Sequence, residues 1–312
     1  MKIGKNELGK FRPIIGLLLF SVVISLLNPQ FLTFSNIINV FRQTSINSII
    51  AVGMTFVILS GGIDLSVGSV LAFSGAICAS LIVAGASTFS AVVLALIVGT
   101  IVGGMTGVII SKGKVQPFIA TLVTMTVLRG ATLVFTDGKP VTLGNQVGVE
   151  LFFKFGNASI AGIPIPILTM FIVFAFSYYI LTQTRLGRYV YALGGNEVTA
   201  KLSGISVGKI KVTVYAISGL LAALAGIILT SRLSSAQPNA GMGYELDAIA
   251  AVVLGGTSLA GGMGSVLGTI TGALIIGILN NALNILNVSS YYQMMVKGLV
   301  ILAAVLVDRK NK

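Results

Sequence analysis

Apolar runs of about 17 to 25 residues, parted by short polar segments, fill most of this chain. Each is long enough to carry an α-helix across a hydrocarbon core ~30 Å thick. The pattern therefore predicts an all-α fold, a polytopic membrane helix bundle of about ten transmembrane helices. The expected cores are 13–28, 43–60, 65–84, 90–111, 117–136, 163–182, 212–231, 248–260, 264–286 and 292–307. The eighth is short and rich in glycine, so about eight or nine full spans plus a re-entrant segment is the alternative. All of 1–312 reads as one transmembrane domain, with outer loops at 137–162 and 232–247 and an inner loop at 184–211.

Pro13, Pro29, Pro117, Pro140, Pro164, Pro166 and Pro238 fall at the edges of these runs or between them, where a missing N–H costs least. They support the same boundaries independently of hydropathy. The first run, 13–27 behind a basic segment, has the outline of a secretory signal peptide. Leu26-Leu27-Asn28-Pro29 offers no small-residue cleavage site and further apolar runs follow, so an uncleaved first span is expected.

Composition agrees: 55% of residues are hydrophobic and 9% charged, with a mean hydropathy of +1.01, against about 25% charged in a soluble domain. The formal charge of +12 does not point to nucleic acid. The cations lie at the ends of apolar runs, not along one face with interleaved aromatics. They mark topology instead, because juxtamembrane Lys and Arg resist translocation. Lys2, Lys5, Lys10 and Arg12 precede the first run; Arg185, Arg188, Lys201, Lys209 and Lys211 fill the inner loop; Arg309, Lys310 and Lys312 end the chain. An even number of crossings places both termini on the cytoplasmic side, and Lys112 and Lys114 then fall there too. The chain has no histidine, so the usual catalytic base and commonest metal ligand are missing. Its one cysteine, Cys78, lies in an apolar stretch and reads as a small buried hydrophobe.

The 38 glycines are patterned. Gly99, Gly103 and Gly107 recur at four-residue spacing, as do Gly264, Gly268 and Gly272, and Gly68, Ala72, Ala76 and Ser80 run likewise. Such stripes let helix backbones approach closely in lipid. A weak internal echo joins the halves: 61–71, from Gly61-Gly62-Ile63-Asp64, resembles 255–267, from Gly255-Gly256-Thr257-Ser258, with two residues more. Paired Gly-interrupted segments in two halves point to a transport pathway, since broken backbone at membrane depth needs protein or a water-filled cavity beside it. Chance likeness between two Gly-rich turns is the competing explanation.

Asp64 is the sharpest single residue, because an intramembrane carboxylate must find donors or a cavity. It either N-caps the third span through the backbone N–H of Ser66 or Val67, or lines a transport path with Ser66; the two roles are compatible. Arg129, among Thr121, Thr124 and Thr126, either lines a polar path or snorkels to the interface. Asn47, Asn280, Asn281 and Asn284 are neutral hydrogen-bonding groups suited to a sugar, or to ordinary interhelical bonds.

In the inner loop, Asn196 is a good N-cap, Glu197 is placed to pair with Lys201 at i,i+4, Val198 and Leu202 share a face with Ala200 between them, and Gly204 suits a left-handed stop. A short helix between glycine hinges is expected. With fewer than about two turns it needs something to dock on. Leu59-Ser60-Gly61-Gly62 mimics the start of the ABC ATPase signature, but the chain carries no phosphate-binding loop, so no ATPase site and no enzymatic activity are expected of it.

Three long motifs resemble the permease subunits of bacterial sugar ABC importers over essentially the whole chain: 59–69, 187–205 (Gly187-Arg188-Tyr189 through Ile205) and 254–264 (Leu254-Gly255-Gly256-Thr257 through Gly264). The resemblance implies a multi-pass permease of the bacterial inner membrane that pairs with a second copy. It also implies cytosolic ATPase subunits or a tandem ATPase carrying ATP and Mg, and a periplasmic or lipid-anchored sugar-binding protein. The 196–204 segment then looks like the coupling helix seated in the ATPase. No cofactor is expected on this chain. Ribose is the sugar the resemblance favours, with xylose, galactose, allose, nucleosides or a signalling sugar as the other readings. A secondary transporter with Asp64 as its ion-coupling site is the alternative class, and a channel a third.

Overall fold

The computed structural model describes residues 21–26, 28–144 and 149–310, and it is built almost wholly of helices. Most of the expected first span, Lys2, Lys5, Lys10, Arg12 and Lys312 lie outside the described residues; 21–26 are helical. The helices are α1 (Phe34–Leu59), α2 (Val67–Val83), α3 (Thr88–Lys112), α4 (Pro117–Phe135), α5 (Val149–Asn157), α6 (Ile165–Gln183), α7 (Arg185–Gly195), α8 (Glu197–Leu202), α9 (Val207–Leu233), α10 (Tyr244–Leu254), α11 (Val266–Ile285) and α12 (Ser290–Lys310). Among the described residues six helices, α1, α3, α4, α6, α9 and α11, are long and apolar enough to cross a membrane.

Local chemistry sets the boundaries. Thr33, Ser87 and Ser265 accept the N–H groups of Asn36, Ser90 and Gly268 through their hydroxyls, so α1, α3 and α11 begin where a side chain satisfies an orphan donor. Pro117 and Pro166 stand in the first turns of α4 and α6, where proline costs nothing. Local turns shorten two of the expected spans. The 65–84 run yields 17 helical residues, because a turn at Asp64 and Ser66 delays α2. Of the 248–260 run only 248–254 are helical, within the 11-residue α10, which starts at Tyr244 inside the expected loop 232–247 and is ended by Gly255 and by Gly256 at φ +84°. At 1.5 Å per residue α10 reaches roughly 16 Å, about half a hydrocarbon core.

α1 and α9 form the centre. From Thr44 to Ser60 every residue of α1 except Asn47 is buried, as expected of a helix apolar all round. α9 packs against α3, α1 and α2. Its crossing with α3 is closed by the first glycine stripe: a methyl group on Gly103 overlaps the Tyr215 carbonyl, one on Gly219 overlaps that of Gly99, and one on Gly107 comes within 2.6 Å of Val212 Cα. The second stripe seats α11 on α10, Gly272 against Ala251 and Gly268 against Gly255.

At the end of the bundle away from α8, the two expected outer loops clasp each other. β1 (Val141–Thr142) pairs antiparallel with β4 (Ser235–Ala236), while β2 (Ser159–Ile160) and β3 (Ile163–Pro164) form a small hairpin. The Gly156 N–H donates to Ser231 Oγ at 2.8 Å, and that hydroxyl donates to the Phe152 carbonyl. α5 is thereby tied to the end of α9.

Gly103→Val forces α3 from α9 and should cost about 3 kcal/mol of stability by overpacking. Gly130→Ala, with open space around it, should leave the midpoint of thermal unfolding in detergent unchanged. Equal midpoints for the two variants would contradict the close crossing.

Candidate functional site

At the α8 end of the bundle three glycine turns meet backbone to backbone. α1 stops at Gly61, whose φ of +82° is readily available only to glycine. The turn after α10 folds back through Gly261 and Gly262, at φ +88° and +73°, and the Gly262 N–H donates to the Leu59 carbonyl at 3.0 Å. Gly194, in the last turn of α7, lies between them. A methyl group there overlaps the Leu59 carbonyl oxygen and sits 2.5 Å from the Gly262 nitrogen. Tyr191, one turn earlier, donates its hydroxyl to the Gly264 carbonyl at 3.0 Å. The two segments of the internal echo are thus neighbours, and the segment leading into α8 is wedged at their junction.

α8 follows directly. Asn196 Oδ1 accepts the Thr199 N–H at 2.9 Å, and Gly204 takes φ +81° after the helix. Ala200 is buried, whereas Val198 and Leu202 are 68% and 84% exposed, an apolar pair facing away from the chain. The expected ion pair between Glu197 and Lys201 is not made. The Glu197 carboxylate takes Lys211 Nζ from the second turn of α9 instead, at 2.9 Å to each oxygen. Tertiary placement of α9 outcompetes an i,i+4 pair worth only a few tenths of a kcal/mol, and the bridge straps α8 to α9.

Asp64 lies beside this junction, 1% exposed. Its Oδ1 accepts the Ser66 N–H at 2.9 Å and the Ser66 hydroxyl at 2.6 Å, and its Oδ2 accepts the Ser218 hydroxyl of α9 at 2.8 Å. Ser66, not Asp64, holds the N-cap position of α2. Asp64 forms the Asx turn just before it, so the expected bond to Ser66 is present with the carboxylate two residues earlier than a cap. Tyr215 donates its hydroxyl to the Ile63 carbonyl at 3.3 Å and fixes the same turn to α9.

Farther from α8, a polar cavity of about 230 Å³ opens between α1, α10, α11 and α12. Asn47, Asn280 and Asn284 lie in its wall, together with Thr44, Gln293, Asp247 and Lys297. Lys297 Nζ bonds Asp247 Oδ2 at 3.1 Å, and Asn47 Nδ2 donates to the same oxygen at 3.3 Å. Among the described residues, Thr44 Oγ1, Asn47 Oδ1 and Asn280 Oδ1 are buried polar atoms in that wall without a protein partner. The other candidates stand elsewhere. Asn281 exchanges two 3.0 Å bonds with Asn36, an ordinary interhelical pair. Arg129 Nη1 donates to the Pro238 and Ala240 carbonyls at 2.9 Å each, holding down the loop before α10. The cavity's charged pair escaped the sequence reading, although Lys297 falls inside the expected span 292–307, where an intramembrane cation is itself the signal.

The family described as branched-chain amino acid transport system / permease component matches residues 36–305, so the chain belongs to this family of transport permeases. Its relatives include the ribose import permease protein RbsC of Haemophilus influenzae, 60% identical over 306 residues, covering 97% of this chain and 95% of that protein. The ribose import permease proteins of Escherichia coli strain K12 and Bacillus subtilis strain 168 are 58% and 56% identical, covering 96% and 97% of this chain and 94% and 93% of theirs. No solved structure matches the chain.

Asp64→Ala leaves the Ser66 and Ser218 donors unpaired in a buried setting and should cost about 1–3 kcal/mol. Asp64→Asn, which keeps an acceptor, should cost less. Thermal unfolding of the detergent-solubilised chain measures both, and an unshifted midpoint for the alanine variant would exclude this anchoring role.

Proposed function

We propose that the chain is the permease subunit of an ABC importer that moves ribose across the bacterial inner membrane. The observation that carries this reading is the near-full-length likeness, at 56–60% identity, to relatives named ribose import permeases. The lining of the cavity supports the sugar class. Its amide and hydroxyl groups, beside the paired charges of Asp247 and Lys297, suit a hydroxyl-rich solute. The ion-gradient alternative has no support among these relatives, and Asp64 is engaged by Ser66 and Ser218.

In this reading the chain has about ten crossings, with both termini and α8 cytoplasmic, as the Lys and Arg distribution demands. Segments too short to span, α10 among them, complete the path as broken helices. The chain pairs with a second copy, receives sugar from a periplasmic or lipid-anchored binding protein, and is driven by cytosolic ATPase subunits that hold ATP and Mg. The ATPase is the surface that the exposed Val198 and Leu202 cover. Asn196 fixes the first turn of α8, Ala200 seats it on the bundle, Glu197 straps it to Lys211, Lys201 shares its last turn, and Gly204 releases the chain into α9. Closure of the ATPase pair moves α8, and Gly194 carries that displacement into the turns before α2 and α11.

The double variant Glu197→Arg, Leu202→Asp should insert normally in the membrane yet lose more than about nine-tenths of ribose uptake in the reconstituted complex, since it removes both strap and apolar contact. Ribose-dependent ATP turnover should fall with it. Unchanged turnover and uptake would refute the coupling assignment.

A further inference from the structure

We infer that the cavity between α1, α10, α11 and α12 is a sugar-contact site within the permease itself, and that Asp247 and Lys297 are its positioning residues. The inference rests on the importer reading and names the site at which that importer handles its substrate. Asn47 is the one residue of α1 between Thr44 and Ser60 that is not buried, and it faces this space. Its amide has two ends, and Asp247 decides which goes where: the carboxylate accepts from Nδ2, so Oδ1 is turned away from it. Lys297 holds Asp247 in place and offsets its charge, so the pair adds no net charge to the wall.

What is left over defines the ligand. Asn47 Oδ1 and Asn280 Oδ1 are buried acceptors without protein partners, and the Thr44 hydroxyl can donate or accept. Buried polar atoms of this kind are paired in most proteins, and these three belong to residues of one wall, so a small side-chain turn there would offer them to a solute. Hydroxyls clustered on a compact ring supply donors to both amide oxygens and an acceptor or donor to the threonine. Arg232 adds guanidinium donors at the end of α9, while Ala273 and Ile276 offer an apolar patch for the C–H face of the ring. The volume, about 230 Å³, lies below the roughly 300–1,000 Å³ of drug-sized sites, a scale suited to one monosaccharide. Only a few hydrogen bonds hold the sugar here, which fits a site that must release its cargo onward.

The test uses the complete transporter in liposomes, with Cys78→Ala removing the native thiol and Asn280→Cys placing one in the wall. A membrane-impermeant maleimide should label the new thiol, and millimolar ribose should slow labelling at least about threefold while leucine does not. Asn284→Cys serves as the second position if Asn280→Cys fails to assemble. Asp247→Asn in the Asn280→Cys background should abolish at least half of the ribose protection, and restoring Asp247 should recover it. Labelling indifferent to ribose in a transporter whose parent still takes up ribose overturns the site. Protection by leucine instead overturns the sugar class, and full protection in the Asp247→Asn variant overturns the positioning role. A parent transporter that takes up no ribose counts against the importer reading, and the labelling comparison still decides what the cavity holds.

Discussion

Contact of main chain with main chain, at a point where no side chain fits, organises the α8 end of this protein. Gly194 touches the Leu59 carbonyl and the Gly262 nitrogen, and Gly261 lies within 2.9 Å of Gly61 by the measure of an added Cβ. A side chain between such segments has rotamers that can absorb a displacement. Glycine leaves none, and close-packed backbone transmits strain as a rigid body. The left-handed turns at Gly61, Gly261 and Gly262 serve the same end, since they let two interrupted helices bring their breaks to one place.

From that junction the rest of the bundle follows. α9, drawn against α3 by its own glycine crossing, holds the Asp64 turn through Ser218 and Tyr215 and α8 through Lys211. α10 is the lighter element. Eleven residues long, it joins the Gly255 end, near the junction, to Asp247 in the wall of the polar cavity. A movement entering at α8 therefore has a short mechanical route to the groups that line the polar cavity. The clasp of β1 with β4, and of α5 with Ser231, gives α9 a fixed anchor at its other end.

Much of this was legible in the residues. Long apolar runs, prolines at their edges and small-residue stripes gave the helices and their close crossings, because hydropathy and steric size act locally. Asn196 and Gly204 gave the bounds of α8 for the same reason. What sequence missed was decided by tertiary placement. Glu197 chose Lys211 over Lys201 because α9 brings a lysine within 2.9 Å, which no helical spacing reveals. Asn281 points at Asn36 while its neighbour Asn280 sits in the cavity wall, a division set by how α11 is rotated. The Asp247 and Lys297 pair joins residues fifty positions apart, and only the packing of α12 beside α10 makes it one feature. The internal echo competed with chance likeness in sequence, and its two halves lie in direct contact.

The central claim is that Gly194 passes the motion of the coupling helix to the two broken segments without slack. Its most direct test is Gly194→Ala in the complete reconstituted transporter, because one methyl group there collides with the Leu59 carbonyl while leaving the apolar face of α8 untouched. The account predicts a permease that still co-purifies with its ATPase but takes up ribose at less than about a tenth of the normal rate, as expected when a positioning contact is shifted by about an ångström. Normal uptake by that variant would contradict it.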